Sequence, residues 1–182
     1  MSDWPVWATQ PVEIEEWSPS WAQVAEELIG DLARRLEPWA AGPVEHVGST
    51  AVRGLSAKPI VDLLAPVRSL SEAKAADDVL AVAGWHLVPP EVDQRPWRRM
   101  FVLPEHDRRV AHLHLVESGH ERVRDTLTFR DHLREQPEAA SAYARLKSAA
   151  AEQHRDDREA YTSAKTEFVR SIVADVIRRG PR

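Results

Sequence analysis

The sequence predicts an α+β fold, with a sheet drawn from the first two-thirds of the chain and helices between and behind its strands. Three observations predict it. Short β-branched and apolar runs of strand length cluster between residues 44 and 116. From His120 onward the apolar residues recur only at helical spacing. The chain has 182 residues and no cysteine, so it is long enough for a core of its own and builds it without disulfides or a thiolate zinc site.

The elements follow in order. Residues 1–11 are a Trp- and Pro-rich lead, expected to be loosely ordered. Val12-Glu13-Ile14-Glu15 alternates like a short edge strand. Helix one starts after Ser18-Pro19-Ser20, because Trp21, Val24, Ala25, Leu28, Ile29, Leu32 and Leu36 repeat at helical spacing and Pro38 stands near the end. Strands are expected at 44–47 and 59–64. A helix then runs from Ser71, a residue suited to an N-cap, to Ala83, and Gly84 ends it. Arg98–Leu103 and Val110–Val116 read as two strands joined through Pro104-Glu105-His106-Asp107. Beyond residue 119 about three helices follow, broken near Gln136-Pro137 and His154-Arg155-Asp156, and the last ends at Gly180-Pro181. The expected organisation is the lead at 1–11, an α+β core over 12–119 and a helical region over 120–182 packed on that core.

Charge narrows the function classes. The formal net charge is −5, unevenly placed: residues 1–119 carry 11 basic and 18 acidic side chains, residues 120–182 carry 13 and 11. A nucleic-acid track needs a basic surface, so small substrates are favoured over a polynucleotide. No basic-plus-apolar leader and no apolar run of membrane-spanning length stands in the sequence, and a soluble cytoplasmic protein is expected.

The chemistry concentrates in Glu45-His46-Val47-Gly48-Ser49-Thr50 and Lys58-Pro59-Ile60-Val61-Asp62-Leu63-Leu64. Gly48 permits a sharp turn and a close approach of the backbone to a ligand. Ser49 and Thr50 follow with hydroxyls and backbone N–H groups, the means by which a loop at a helix start holds phosphate. Asp62 is an acid on an otherwise apolar strand, where an unpaired carboxylate costs several kcal/mol, so it meets a metal or a cation. The alternative for Asp62 is an acid that ends a strand and caps a neighbouring turn. His112 and His114 alternate on a strand and therefore share one face, where they bind a transition metal, contact phosphate, serve as base, or simply hydrogen-bond their neighbours. Lys58 stands in the loop framing the turn, as a point cation for phosphate or as a solvated side chain. Of Arg98 and Arg99, one faces the cleft; Arg99 is assigned to phosphate.

The stretch Glu45–Asp62 as a whole resembles the signature of the GrpB family, which is placed in the nucleotidyltransferase superfamily alongside polymerase beta and kanamycin nucleotidyltransferase. His112-Leu113-His114-Leu115, Phe129-Arg130-Asp131-His132-Leu133-Arg134, Tyr143-Ala144-Arg145-Leu146-Lys147 and Tyr161 with Lys165 extend the resemblance, in order, over roughly residues 10 to 178. It implies a nucleotidyltransferase-like mixed sheet with flanking helices and a helical C-terminal subdomain. It also implies metal-assisted transfer of a nucleoside monophosphate from a nucleoside triphosphate to a small-molecule acceptor, with Mg2+ or Mn2+. On that reading Asp62, His112 and His114 are catalytic, and Asp62 with His114 holds the metal. Gly48, Ser49, Thr50, Lys58, Arg99, Arg130, Lys147 and Lys165 contact the nucleotide's phosphates. One departure stands out. The superfamily strand usually carries a second acid two positions on, and here that position is Leu64. A binding module on the same fold, without turnover, is the rival expectation.

Overall fold

Five strands make one mixed sheet in the order β1-β2-β5-β4-β3: β1 Glu45–Val47, β2 Val61–Val67, β3 His86–Leu87, β4 Arg98–Glu105 and β5 Arg108–Glu117. β2 and β5 run parallel at its centre, and the other pairings are antiparallel. The computed structural model describes residues 13–153 and 158–180, the side chains of residues 158, 159, 161 and 162 excepted. The lead at 1–11 and the helix break at His154-Arg155-Asp156 lie outside the described residues.

The central strands are apolar on one face and mixed on the other, where Asp62, His112 and His114 stand among apolar residues. Val61, Leu63, Ala65 and Val67 of β2 and Ala111, Leu113 and Leu115 of β5 point to one face. There they meet α1 (Ser20–Leu36), through Trp21, Ala25, Leu32 and Leu36, and α2 (Ala76–Val82), through Ala76 and Leu80. The opposite face carries Asp62 and Leu64 of β2, His112, His114 and Val116 of β5, and Arg98, Met100 and Val102 of β4. Leu64 and Val116 on this face pack with Val47, Trp97, Val123 and Leu127. The last two belong to α4 (Glu121–Glu135), which is followed by α5 (Pro137–Gln153) and α6 (Arg158–Arg179). A second cluster joins Val52 and Leu55 to Leu133, Tyr143, Phe129 and Phe168, fixing the loop after β1 to all three C-terminal helices.

Several elements differ from the sequence reading, each for a local reason. Of the expected edge strand, Val12 lies outside the described residues and Glu13–Glu15 form no strand; only Glu15 bridges Ala57, through backbone bonds of 2.8 and 2.9 Å. The next partner along that ladder is Pro59, which has no N–H to give. β2 runs past Leu64 through Pro66, tolerated because β1 begins only opposite Leu64 and the Pro66 carbonyl accepts from Ala41 N–H instead. The helix expected from Ser71 begins as a 3-10 turn over Glu72–Ala75, and Ser71 makes no side-chain cap. Its end is as expected, with Gly84 at φ 85. β3 and the one-turn α3 (Pro90–Asp93) are too short to leave a periodic signal.

The β4–β5 hairpin has one feature that decides which side chains reach the site. Its tight turn sets Glu105 opposite Arg108, with His106 and Asp107 both at positive φ. Between Leu103 and Pro104 the register shifts by one residue, a bulge that sets Leu103 opposite Ala111. Carried back without it, the turn's register would place Arg99 opposite His114. With it, Met100 is opposite His114 and Arg98 joins the histidines' face.

Candidate functional site

β1 ends where β2 begins. Val47 pairs with Asp62, and the chain turns at once through Gly48 into a 3-10 turn over Ser49–Ala51. Gly48 lies at φ 72, and a Cβ built there would stand 2.5 Å from Asp62 Oδ2. The turn is therefore pressed directly onto the acid, and only glycine allows both the conformation and the approach. Gly48, Ser49 and Asp62 thus lie together at neighbouring strand ends.

Asp62 receives both histidines from β5. His112 Nδ1 donates to Oδ1 at 3.0 Å, and His114 Nε2 faces the same oxygen at 3.8 Å, longer than a hydrogen bond. The three form a group whose potential ligand atoms lie within 4.8 Å of one another. Asp62 is one-third exposed (33%). Burial works to raise its pKa, but the bonds and charges of the two rings outweigh that and hold the carboxyl well below its ordinary value. Burial, with Arg98 beside it, pushes His114 below its usual value despite the pull of Asp62. The result is an ionised acid flanked by a neutral ring at His114. His112 Nε2 is buried and without a partner among the described residues.

The remaining sequence-assigned residues divide by position. Thr50 is buried, accepts from His46 Nε2 at 2.9 Å and donates to the Ile60 carbonyl at 3.3 Å, so it braces the turn. His46, half-buried between Asp62 and the Arg130 and Arg134 side chains of α4, is lowered to about 4 by desolvation and stays neutral. The Ser49 hydroxyl makes no hydrogen bond among the described residues. Lys147 is buried (2% exposed), donates to the Ser56 carbonyl and lies over the Tyr143 ring. Desolvation, with the charge of Lys165, lowers it to about 7. Lys165 is lowered by burial to about 8, while Asp62 is near enough to draw it upward. Lys58 stands in the loop that enters β2, between the Ala57 bridge and Pro59.

Two arginines stand apart from the cleft. Arg130 is buried and fully engaged, with Glu45 Oε2 at 2.7 Å, Asp131 Oδ1 at 2.7 Å and the His46 carbonyl at 3.1 Å, so it clamps α4 to β1. Arg99 lies on the opposite sheet face and pairs with Asp77 of α2. The bulge places Arg98 beside the histidines instead: its Nη1 donates to His114 Nδ1 at 2.9 Å, while Nε meets Asp93 Oδ2 at 2.8 Å. Of the two arginines the sequence offers to the cleft, Arg98 rather than Arg99 reaches it, a choice the hairpin register makes; Asp93, in the one-turn α3, is the site residue that sequence reasoning missed. Glu117 lies outside the cluster and accepts from Leu70 N–H at 3.0 Å. A cavity of about 480 Å³ lies behind the turn, between Val52, Leu55 and the α4–α5 corner, and no member of the Asp62 group lines it.

A mixed sheet with a Gly-Ser turn pressed on a strand acid defines a nucleotidyltransferase-like fold, and solved structures agree. Cid1 poly(U) polymerase, with Mg and 3′-dATP bound, superposes at a TM-score of 0.57 with 12% identity, over 83% of this chain and 49% of that one. The chain belongs to the GrpB family, whose model, described as GrpB protein, matches residues 11–175. A UPF0157 protein of Streptomyces coelicolor is 37% identical over 152 residues, 83% of this chain and 78% of the relative. The GrpB protein of Enterococcus faecalis superposes at a TM-score of 0.80 with 27% identity, over 92% of this chain and 98% of that one. No helix among the described residues is long and apolar enough to cross a membrane.

Proposed function

We propose that this protein transfers a nucleoside monophosphate from a nucleoside triphosphate to a small-molecule acceptor at Asp62. The observation that carries the reading is the contact of Gly48 with an ionised Asp62, which sets a phosphate-holding turn against a metal-seeking acid. The donor set fits a divalent cation: one carboxylate held ionised, with two imidazoles beside it. Mg2+ or Mn2+, when bound, would neutralise phosphate charge and polarise the phosphorus that is attacked.

The chain's own groups have separate tasks. The Ser49 hydroxyl and the first backbone N–H groups of its turn bind phosphate oxygens, and Lys165 with Lys58 adds cationic charge beside them. Lys147 holds the loop at Ser56 that frames the cleft. His112 and His114 orient Asp62 and keep it ionised, and so act on the reaction through it. The acceptor's nucleophilic atom bonds to the α-phosphorus and the α–β bridging P–O bond breaks. Pyrophosphate leaves with that electron pair and the acceptor's proton passes to solvent. Catalysis of this kind is chiefly positioning and electrostatics, which a small set of residues supplies.

Leu64 favours a second reading. It occupies the face position of the superfamily's second acid, yet it is packed into an apolar cluster with Val47, Val116 and Trp97. A nucleotide-binding module without turnover needs no second acid. The two readings part under a screen of small acceptors with α-labelled triphosphates and Mg2+ or Mn2+. Label transfer with release of pyrophosphate supports the transferase. Metal-dependent thermal stabilisation by triphosphate without transfer supports the module, and neither response to any triphosphate overturns both.

A further inference from the structure

We infer that Arg98 is a metal-selectivity residue: it withholds His114 from borderline transition metals and leaves Asp62 to a hard, oxygen-seeking divalent cation. The inference rests on the reading of Asp62 as the metal-binding acid. A guanidinium is always protonated and has no acceptor atom. The 2.9 Å contact of Arg98 Nη1 with His114 Nδ1 therefore makes Nδ1 the acceptor, and the proton of the neutral ring sits on Nε2, toward Asp62. An imidazole that ligates a metal through Nε2 must carry its proton on Nδ1, where it would meet an Arg98 N–H head on. Metal-ligating histidines ordinarily give that second N–H to a carboxylate or carbonyl, and here the group in that place is a cation.

Arg98 is fixed where it stands. Asp93, 8% exposed, takes its Nε at 2.8 Å and also pairs with Nη2. The Trp97 ring lies under the guanidinium, with 5.2 Å from Cζ to the ring centroid, and Met100 Sδ lies 3.2 Å from Nη2. His112 offers no substitute, because its Nδ1–H is turned to Asp62 and its Nε2 is buried. Oxygen from the carboxylate is thus the donor left open in the group. Mg2+ is content with one or two carboxylates completed by substrate phosphates and water, whereas Zn2+, Co2+ and Ni2+ gain most from imidazole. Arg98 discriminates between the two kinds without touching the ion.

The test begins with the metal-free protein, 15N-labelled, in long-range 1H–15N spectra of the histidine rings. The expected result is His114 protonated on Nε2; protonation on Nδ1 overturns the inference. Zn2+ and Mg2+ are then titrated against the parent and Arg98→Met, the latter also in an Asp93→Asn background that leaves no buried carboxylate unpaired. Zn2+ affinity should rise at least about tenfold, the size of effect that such neighbours have on ligand histidines. Mg2+ affinity should stay within about threefold, and His114→Gln should erase the Zn2+ gain. Equal Zn2+ affinity in parent and variant overturns the inference, and if both variants fail to fold the ring spectrum of the parent decides. Absence of Mg2+ binding with ATP in every protein overturns the reading of Asp62 instead, and leaves Arg98 to be judged by the spectrum and Zn2+.

Discussion

Asp62 is ionised and one-third exposed beside a ring that stays neutral at His114, so its charge is not cancelled from that side. Asp62→Asn keeps the acceptor oxygen for His112 and removes only that charge. The melting temperature without ligand should move little, while the extra stabilisation by ATP with Mg2+ over ATP alone should vanish. A folded variant that keeps the metal-dependent increment would sink the metal role. Gly48 is tested from the other side. An alanine there incurs positive-φ backbone strain of about 1–3 kcal/mol and drives its Cβ into Asp62 Oδ2. Gly48→Ala should therefore unfold at lower denaturant than the parent and, where still folded, lose the same ATP–Mg2+ increment.

At the scale of elements, β2 and β5 carry the site, and their parallel register sets Asp62 beside His112 and Leu64 beside His114. This much was legible in the sequence, because the period-two rule places alternate residues of a strand on one face. The arginine on β4 was not. The residue that reaches the histidines depends on a one-residue shift between Leu103 and Pro104, and a bulge leaves no periodic signature in a single sequence. Arg130 shows a different limit: its motif was visible, but its engagement by Glu45, Asp131 and the His46 carbonyl follows only from the docking of α4 on β1. The histidines of β5 give the test at this scale. Replacing both with glutamine should lower kcat by tenfold or more, since Asp62 loses its orientation, while the triphosphate Kd measured without metal stays within a few-fold. Unaltered kcat in the double variant would make the two rings purely structural.

Across the whole molecule, the C-terminal helices close the cleft with cations that have given up solvent. Lys147 is lowered to about 7 and Lys165 to about 8, burial being the first cause for each. The unfolded chain holds both protons up to about pH 10.4, the ordinary lysine value. Between pH 7 and 10 it therefore binds more protons than the folded chain, and stability must rise with pH over that window. Lys147→Met removes one of the two contributions. The free energy of urea unfolding, followed at pH 7.5, 8.5 and 9.5, should climb more gently in the variant, by about 1.4 kcal/mol per pH unit at most. Parallel slopes would show that Lys147 is not buried as described. The helical character of this region was plain from its periodicity. That a lysine of α5 is sealed beneath the loop at Ser56 was not, because a lone lysine on an amphipathic helix reads as solvated.

The bulge in the β4–β5 hairpin makes the composition of the cleft a matter of counting. Arg98 and Arg99 are chemically identical neighbours, and one braces His114 while the other ties the sheet to α2 only because a single extra residue stands between the turn and the histidines. Removing Val110, the unpaired residue opposite the register shift, would exchange their duties with every functional side chain still present. An insertion or deletion in the hairpin of a GrpB protein is thus a change of wiring, and relatives that differ there in length should be compared by strand parity before they are compared by residue identity.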